Sequence, residues 1–167
     1  VAAVGPVGGI GRARDHGAAR HAADDARDDG AGIGRGRRGS GETNAEGYKG
    51  IFRQMAATFG FKYVISTLRE SFSATHNGWK AMIYNGEEFY ESKRYDIDPI
   101  IDRVGGGDSF SGGVIHGLLT KPTQGEALEF AVAASALKHT INGDFNLVSA
   151  EEVESLAGGN ASGRVQR

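Results

Sequence analysis

At 167 residues the chain has room for one domain of ordinary size, and 39% apolar residues with a net charge of −2 suit a globular protein. No Lys/Arg stripe interleaves with aromatics, which leaves nucleic-acid binding without support, and no apolar stretch is long enough to span a bilayer. There is no cysteine, so disulfides and thiol chemistry are excluded, and the N-terminus lacks a signal-peptide core, so a cytoplasmic protein is expected.

In chain order, the first segment is residues 1–41. It contains no Leu, Met, Phe, Tyr or Trp and is mostly Gly, Ala, Arg and Asp. Without large apolar side chains burial cannot offset chain entropy, so the segment is expected to be disordered. Gly, Ala, Arg and Asp are also what GC-rich DNA yields in a wrong frame, and the chain starts at Val1; a frameshifted or mis-joined segment is the favoured reading. The domain division expected is therefore 1–41 and 42–167.

From Gly47 the pattern changes. Tyr48, Ile51, Phe52 and Met55 recur at helical spacing, and Gly60 reads as the stop. Lys62–Leu68 is rich in β-branched residues and reads as a buried strand; Ser71–His76 and Lys80–Tyr84 read as two more. Asn85-Gly86 is a type I′ hairpin signal before Glu87–Glu91, with Trp79, Tyr84 and Tyr90 as hairpin packing. A helix with Phe110, Val114 and Leu118 on one face follows Gly105–Gly107, and Gly112, Gly113 and Gly117 on it suit close helix–sheet packing. A second helix runs over Thr123–Thr140, carrying Leu128, Val132 and Leu137. Asn142-Gly143-Asp144 is a turn, and Ser149-x-x-Glu152 a capping box for a last helix. This order of elements belongs to an α/β domain.

The chemistry concentrates in Asp102-Arg103-Val104-Gly105-Gly106-Gly107-Asp108-Ser109-Phe110. Glycine backbone can approach a ligand closely, and the helix that starts there adds N–H groups and a positive dipole end that favour phosphate. Asp108 is placed to take a proton from an attacking hydroxyl; as a plain glycine turn, the same run would make Asp108 an ordinary N-cap.

The segment from Glu42 to Arg167 resembles the ribokinase-like carbohydrate kinases, whose signature is Asp-Thr-x-Gly-Ala-Gly-Asp-x-Phe. Asp102, Gly105, Gly107, Asp108 and Phe110 match it; Arg103 stands for Thr and Gly106 for Ala. Within that family, Phe61–Ser71, Phe130–Thr140 and Gly143–Val148 are similar to the 2-keto-3-deoxygluconate kinase branch. The resemblance implies the C-terminal portion of a three-layer α/β/α fold, without the N-terminal half. It also implies phosphoryl transfer from ATP to a sugar acid, with Mg²⁺ on the phosphates. Asp108 would be the base, Gly105, Gly106 and Gly107 the anion hole, and Asp102 either the aspartate associated with a monovalent cation, K⁺, or a helix-flanking salt bridge. Thr67, Arg69, Glu70 and Ser71 fall on the family's nucleotide loop, with Arg69 and Phe72 where the family has glycines; Gly107 and Val132 complete the nucleotide set, with plain core packing the other reading of Val132. Lys138 and His139, at a helix end near that pocket, are expected to be solvated. A homo-oligomer is expected of the full-length protein. The 167-residue chain by itself is expected to be inactive, which leaves a nucleotide-binding fragment without turnover as the alternative.

Three rival motifs are weaker. No Walker A string is present, and Phe110 stands where a dinucleotide fingerprint needs its third glycine. Gly107-Asp108-Ser109 also starts like a serine-esterase motif with Ser109 as nucleophile. That family needs Asp-x-x-His downstream, and His116 and His139 have Gly113 and Ala136 three residues earlier.

Overall fold

The alternation along Tyr63–Ser71 organises the molecule. In the computed structural model, which describes residues 2–4 and 45–159, this strand (β2) turns Val64 and Leu68 to one face and Ile65 to the other. It pairs antiparallel with β3 (Asn77–Tyr84) from Val64↔Tyr84 to Ser71↔Asn77. The far edge of β3 carries two short strands, β4 (Phe89–Glu91) at one end and β5 (Tyr95–Ile97) at the other. At the outer edge of β2 lies β1 (Ala2–Val4), also antiparallel, in register Ala2↔Ile65 to Val4↔Tyr63.

Each face of the sheet has its own cover. Helix α1 (Ala45–Phe59) sets Phe52 and Met55 against Val64, Leu68, Met82 and Tyr84. It ends at Gly60, whose φ of +64° is the left-handed conformation that stops helices and whose N–H bonds the Ala56 carbonyl. On the opposite face Ile65, Ala81, Ile83, Tyr95 and Ile97 meet α2 (Gly106–Thr120), α3 (Gln124–Lys138) and α4 (Ala150–Gly158) in a second core. Helix α3 is the most enclosed element, with every residue from Phe130 to Lys138 buried. Its N-cap is Thr123, which accepts from Glu126 N–H; α4 starts with the reciprocal Ser149–Glu152 capping box expected from the sequence.

Four expectations change. Thr67–Ser71 is not a loop: it continues β2, so the expected break after Leu68 is absent and the chain turns at Phe72–Thr75. The expected strand at Ser71–His76 is that turn, closed by Phe72 and Ser73 N–H groups on the His76 carbonyl. The β3–β4 connection spans Asn85–Glu88 rather than two residues, because Asn85 Oδ1 accepts from both Glu87 and Glu88 N–H and builds a wider turn. Finally, Gly113 and Gly117 pack helix on helix rather than helix on sheet. A Cβ on Gly113 would stand 2.8 Å from Ala131 Cα, and one on Gly117 2.7 Å from Ala127 Cα. Of the segment expected to be disordered, Ala2–Val4 form β1; the rest of it and the proposed division at 41/42 lie outside the described residues.

That helix contact yields a stability prediction. Gly117→Val should destabilise the protein by about 1–3 kcal/mol in urea unfolding, since the α2–α3 backbones cannot separate without opening the core. Gly112, whose Cβ position is open, is the control, and Gly112→Ala should be neutral or stabilising by up to about 1 kcal/mol.

Candidate active site

The glycine run is a turn built to start a helix without a side-chain cap. Gly105 takes φ +76° as the N-cap, and a Cβ there would strike the Asp144 carbonyl. Its own carbonyl accepts from Ser109 N–H at 2.8 Å, closing the first turn. Gly106 N–H donates to the Arg103 carbonyl. Among the described residues, the N–H groups of Gly107 and Asp108 have no protein acceptor. Gly107 has neither a positive φ nor a crowded Cβ position, so packing does not demand glycine there. What its missing side chain does is leave those donors uncovered at the positive end of α2. Asp108 is the third residue of α2, not its N-cap; its carboxylate is exposed and has no hydrogen-bond or ion-pair partner among the described residues.

Beneath the turn lies the last part of α3. Ser135 Oγ donates to the Gly106 carbonyl at 2.8 Å, and the His139 ring would be 2.8 Å from a Cβ on Gly106. His139 is held by its Nδ1 on the Ser135 carbonyl at 2.7 Å and packs on Trp79 with ring centroids 5.0 Å apart. Burial pushes its pKa below the ordinary imidazole value; the Ser135 hydrogen bond opposes this, and Arg103, Lys138 and Arg69 add to it. Lys138 is fully buried and donates to the Ile141 carbonyl at 3.2 Å. The expectation that Lys138 and His139 are solvated is thus corrected: α3 carries its last turn into the core, under the glycines.

Asp102 ties two turns together. Its Oδ1 accepts from Val104 N–H at 3.0 Å and its Oδ2 from Gly143 N–H at 2.9 Å. These amides hold its carboxyl below the usual range, with the Lys138 charge contributing. Among the described residues no three His, Asp or Glu side chains gather in a metal-binding cluster.

A cleft of about 520 Å³ opens over the start of α2, lined by Gly105, Asp108, Ser109, Gly112, Asp144 and Asn146 with Phe130, Phe145 and His116. Of the sequence-derived set, Gly105 and Asp108 line it, with Gly106 and Gly107 between them in the chain. Thr67, Arg69, Glu70 and Ser71 do not line it. They lie along the second half of β2, where Arg69 is exposed and Glu70 is paired with Arg94 at 2.6 Å. Val132 does not line it either; it is buried in the core. The sequence reading took Asn142-Gly143-Asp144 as a turn and missed that Asp144, Phe145 and Asn146 form the opposite wall. Asn146 Nδ2 donates to Ser109 Oγ at 2.7 Å, and no histidine nitrogen among the described residues is hydrogen-bonded to that hydroxyl, so Ser109 has no base.

No family model matches the chain. A 2-dehydro-3-deoxygalactonokinase of Haloferax volcanii is 32% identical over 109 residues, covering 65% of this chain and 31% of that protein. The crystal structure of a 2-dehydro-3-deoxygluconokinase from Thermotoga maritima aligns with a TM-score of 0.66 at 48% identity, over 70% of this chain and 35% of that one. A PfkB family carbohydrate kinase from Listeria grayi aligns with a TM-score of 0.62 at 32% identity, with the same coverage. The relatives in sequence and fold are therefore carbohydrate kinases of the PfkB, ribokinase-like kind, and this chain spans about a third of their length.

The buried His139 makes stability depend on pH. Its folded pKa is depressed, so the unfolded chain binds the proton first as pH falls. The contribution is complete above the ordinary value of 6.5 and is lost as pH drops through the lower folded value. Urea midpoints should fall as pH drops from 6.5 toward that lower value, and His139→Asn should show a shallower decline there; equal slopes would assign the loss to other groups.

Proposed function

We propose that these residues are the C-terminal, phosphoryl-transfer part of a 2-keto-3-deoxygluconate kinase, which moves the γ-phosphoryl group of ATP to a sugar-acid hydroxyl. The single observation that carries this reading is the pairing of two uncovered N–H groups, Gly107 and Asp108, with an unpartnered Asp108 carboxylate on one rim of an open cleft. A site for anion alone would have no use for a free carboxylate beside it, since the charge would repel the ligand. A site for phosphoryl transfer needs both.

The mechanism follows from that arrangement. The Asp108 carboxylate accepts the proton of the sugar-acid hydroxyl as its oxygen attacks the γ-phosphorus, and the bond from that phosphorus to the ADP oxygen breaks. The Gly107 and Asp108 N–H groups, with the positive end of α2 behind them, stabilise charge on the transferring group. Gly105 and Gly106 shape the turn, the first by its left-handed φ and the second by its seat on His139. Mg²⁺ would neutralise phosphate charge; it fits as an ion carried on the nucleotide, with Asp108 and Asp144 the nearby carboxylates on the cleft. The nucleotide would occupy the cleft between the start of α2 and residues 144–150, with Phe145 and Asn146 on its far side. The activity belongs to the whole protein, in which the rest of the chain supplies the sugar site; a protein that uses ATP and free sugar acids belongs in the cytoplasm.

Two outcomes test this in the full-length protein. Asp108→Asn should keep the fold and nucleotide affinity yet lower turnover by about 10²–10⁴-fold, the usual cost of removing a general base. Turnover within a few-fold of the parent would remove Asp108 from the reaction and favour a nucleotide-binding site without chemistry. Sugar-dependent ADP release should favour 2-keto-3-deoxygluconate over ribose, because a site built for a carboxylate leaves its cation unpaired with a neutral sugar. Equal efficiency on both would count against this branch.

A further inference from the structure

The resemblance to the ribokinase-like kinases brings with it a K⁺ beside Asp102, and the residues here do not fit one. A K⁺ would need free oxygen ligands around that aspartate. Each Asp102 oxygen already accepts an amide N–H, from Val104 and from Gly143, which leaves fewer lone pairs for an ion. The Ile141 carbonyl, in the same tail of α3, is taken by the Lys138 ammonium at 3.2 Å. Lys138 and Asp144 also crowd the turn itself: Lys138 Cε and Asp144 Oδ1 each stand 3.1 Å from where a Gly105 Cβ would be. A positive charge therefore already lies between the C-terminal end of α3 and the glycine turn.

We propose that the Lys138 ammonium is a built-in monovalent cation beneath the glycine turn, and that it makes this protein independent of added K⁺. Lys138 is the last residue of α3, where carbonyls and the negative end of the helix dipole collect, so its charge is favoured there. It is fully buried, and a buried ammonium persists only with compensating groups, here the Ile141 carbonyl, the helix end and the Asp102 carboxylate within reach of its field. Lysine does what a bound ion would do: it sets a fixed charge between residues 139–144 and residues 102–107, from which Asp144 and Gly105 reach the cleft. A covalently attached cation cannot dissociate, so the turn stays formed whatever the salt.

The test compares K⁺, Na⁺ and choline chlorides at equal ionic strength on the full-length protein, by thermal melting and by sugar-dependent ADP release. Melting needs no substrate, so it judges the cation even if the kinase reading fails; only the ADP arm rests on that reading. The parent protein should melt within about 1 °C in all three salts and turn over within about twofold. A melting rise of about 5 °C or more in K⁺ over choline, or about tenfold activation by K⁺, would overturn the proposal. Lys138→Ala should melt lower in choline and recover in part with K⁺ or methylammonium, which can enter the space the side chain leaves. A folded Lys138→Ala protein that melts like the parent in choline, or that answers K⁺ no better than choline, would equally overturn it. Should that variant not fold, the salt comparison on the parent decides alone.

Discussion

The site depends on how closely α2 can lie on α3. Gly113 and Gly117 bring the two backbones together against Ala127, Ala131 and Ala134, and Ser135 then reaches the Gly106 carbonyl at 2.8 Å. This contact fixes the origin of α2 over the end of α3, so the glycine turn rests on Ser135, Lys138 and His139 instead of moving as a surface loop. For the phosphoryl transfer we propose, a rigid element under the turn matters because positioning and fixed dipoles supply most of the barrier reduction. The small residues on α2 and α3 therefore set the geometry of the site, and Gly113 and Ala134 also line its cleft.

Much of this was legible in sequence because it is local. The Tyr48/Phe52/Met55 stripe gave α1, the Ser149–Glu152 box gave the start of α4, and Gly105–Asp108 gave the turn and its carboxylate. Each of these is decided by residues within a turn or two of one another. The orientation of the α2 glycines was not legible: glycine patterns show that something approaches, but not whether it is a sheet or a helix. Nor was the burial of Lys138 and His139, because local pattern treats a charged helix end as solvated and the covering element, the turn at 102–107, comes more than thirty residues earlier in the chain. The far wall at Asp144–Asn146 was hidden for the same reason, since a turn in sequence carries no sign of what it faces.

Three of the positions where the chain differs from the ribokinase-like pattern, Arg69, Phe72 and Arg103, form one connected set. Arg69 and Phe72 stand at the loop glycines, and with side chains there the strand runs on to Ser71, paired with Asn77. The turn that follows is then held from the other side: Arg103, in place of the family Thr, donates to the Ala74 carbonyl at 2.6 Å and, with the Asn77 amide oriented to suit its neighbours, to Asn77 Oδ1 at 2.8 Å. Arg94 bridges Glu70 at 2.6 Å and lies over the Phe72 ring at 5.3 Å, completing the brace. Read singly, Arg69, Phe72 and Arg103 look like losses from a nucleotide site. Together they pin the hairpin end and join it through Arg103 to the chain beside Asp102. The glycine turn is then braced on two sides, by the β2–β3 hairpin through Arg103 and by α3 through Ser135 and Lys138. Restraint from both directions is what allows two bare N–H groups and one carboxylate to keep a fixed geometry at an open cleft.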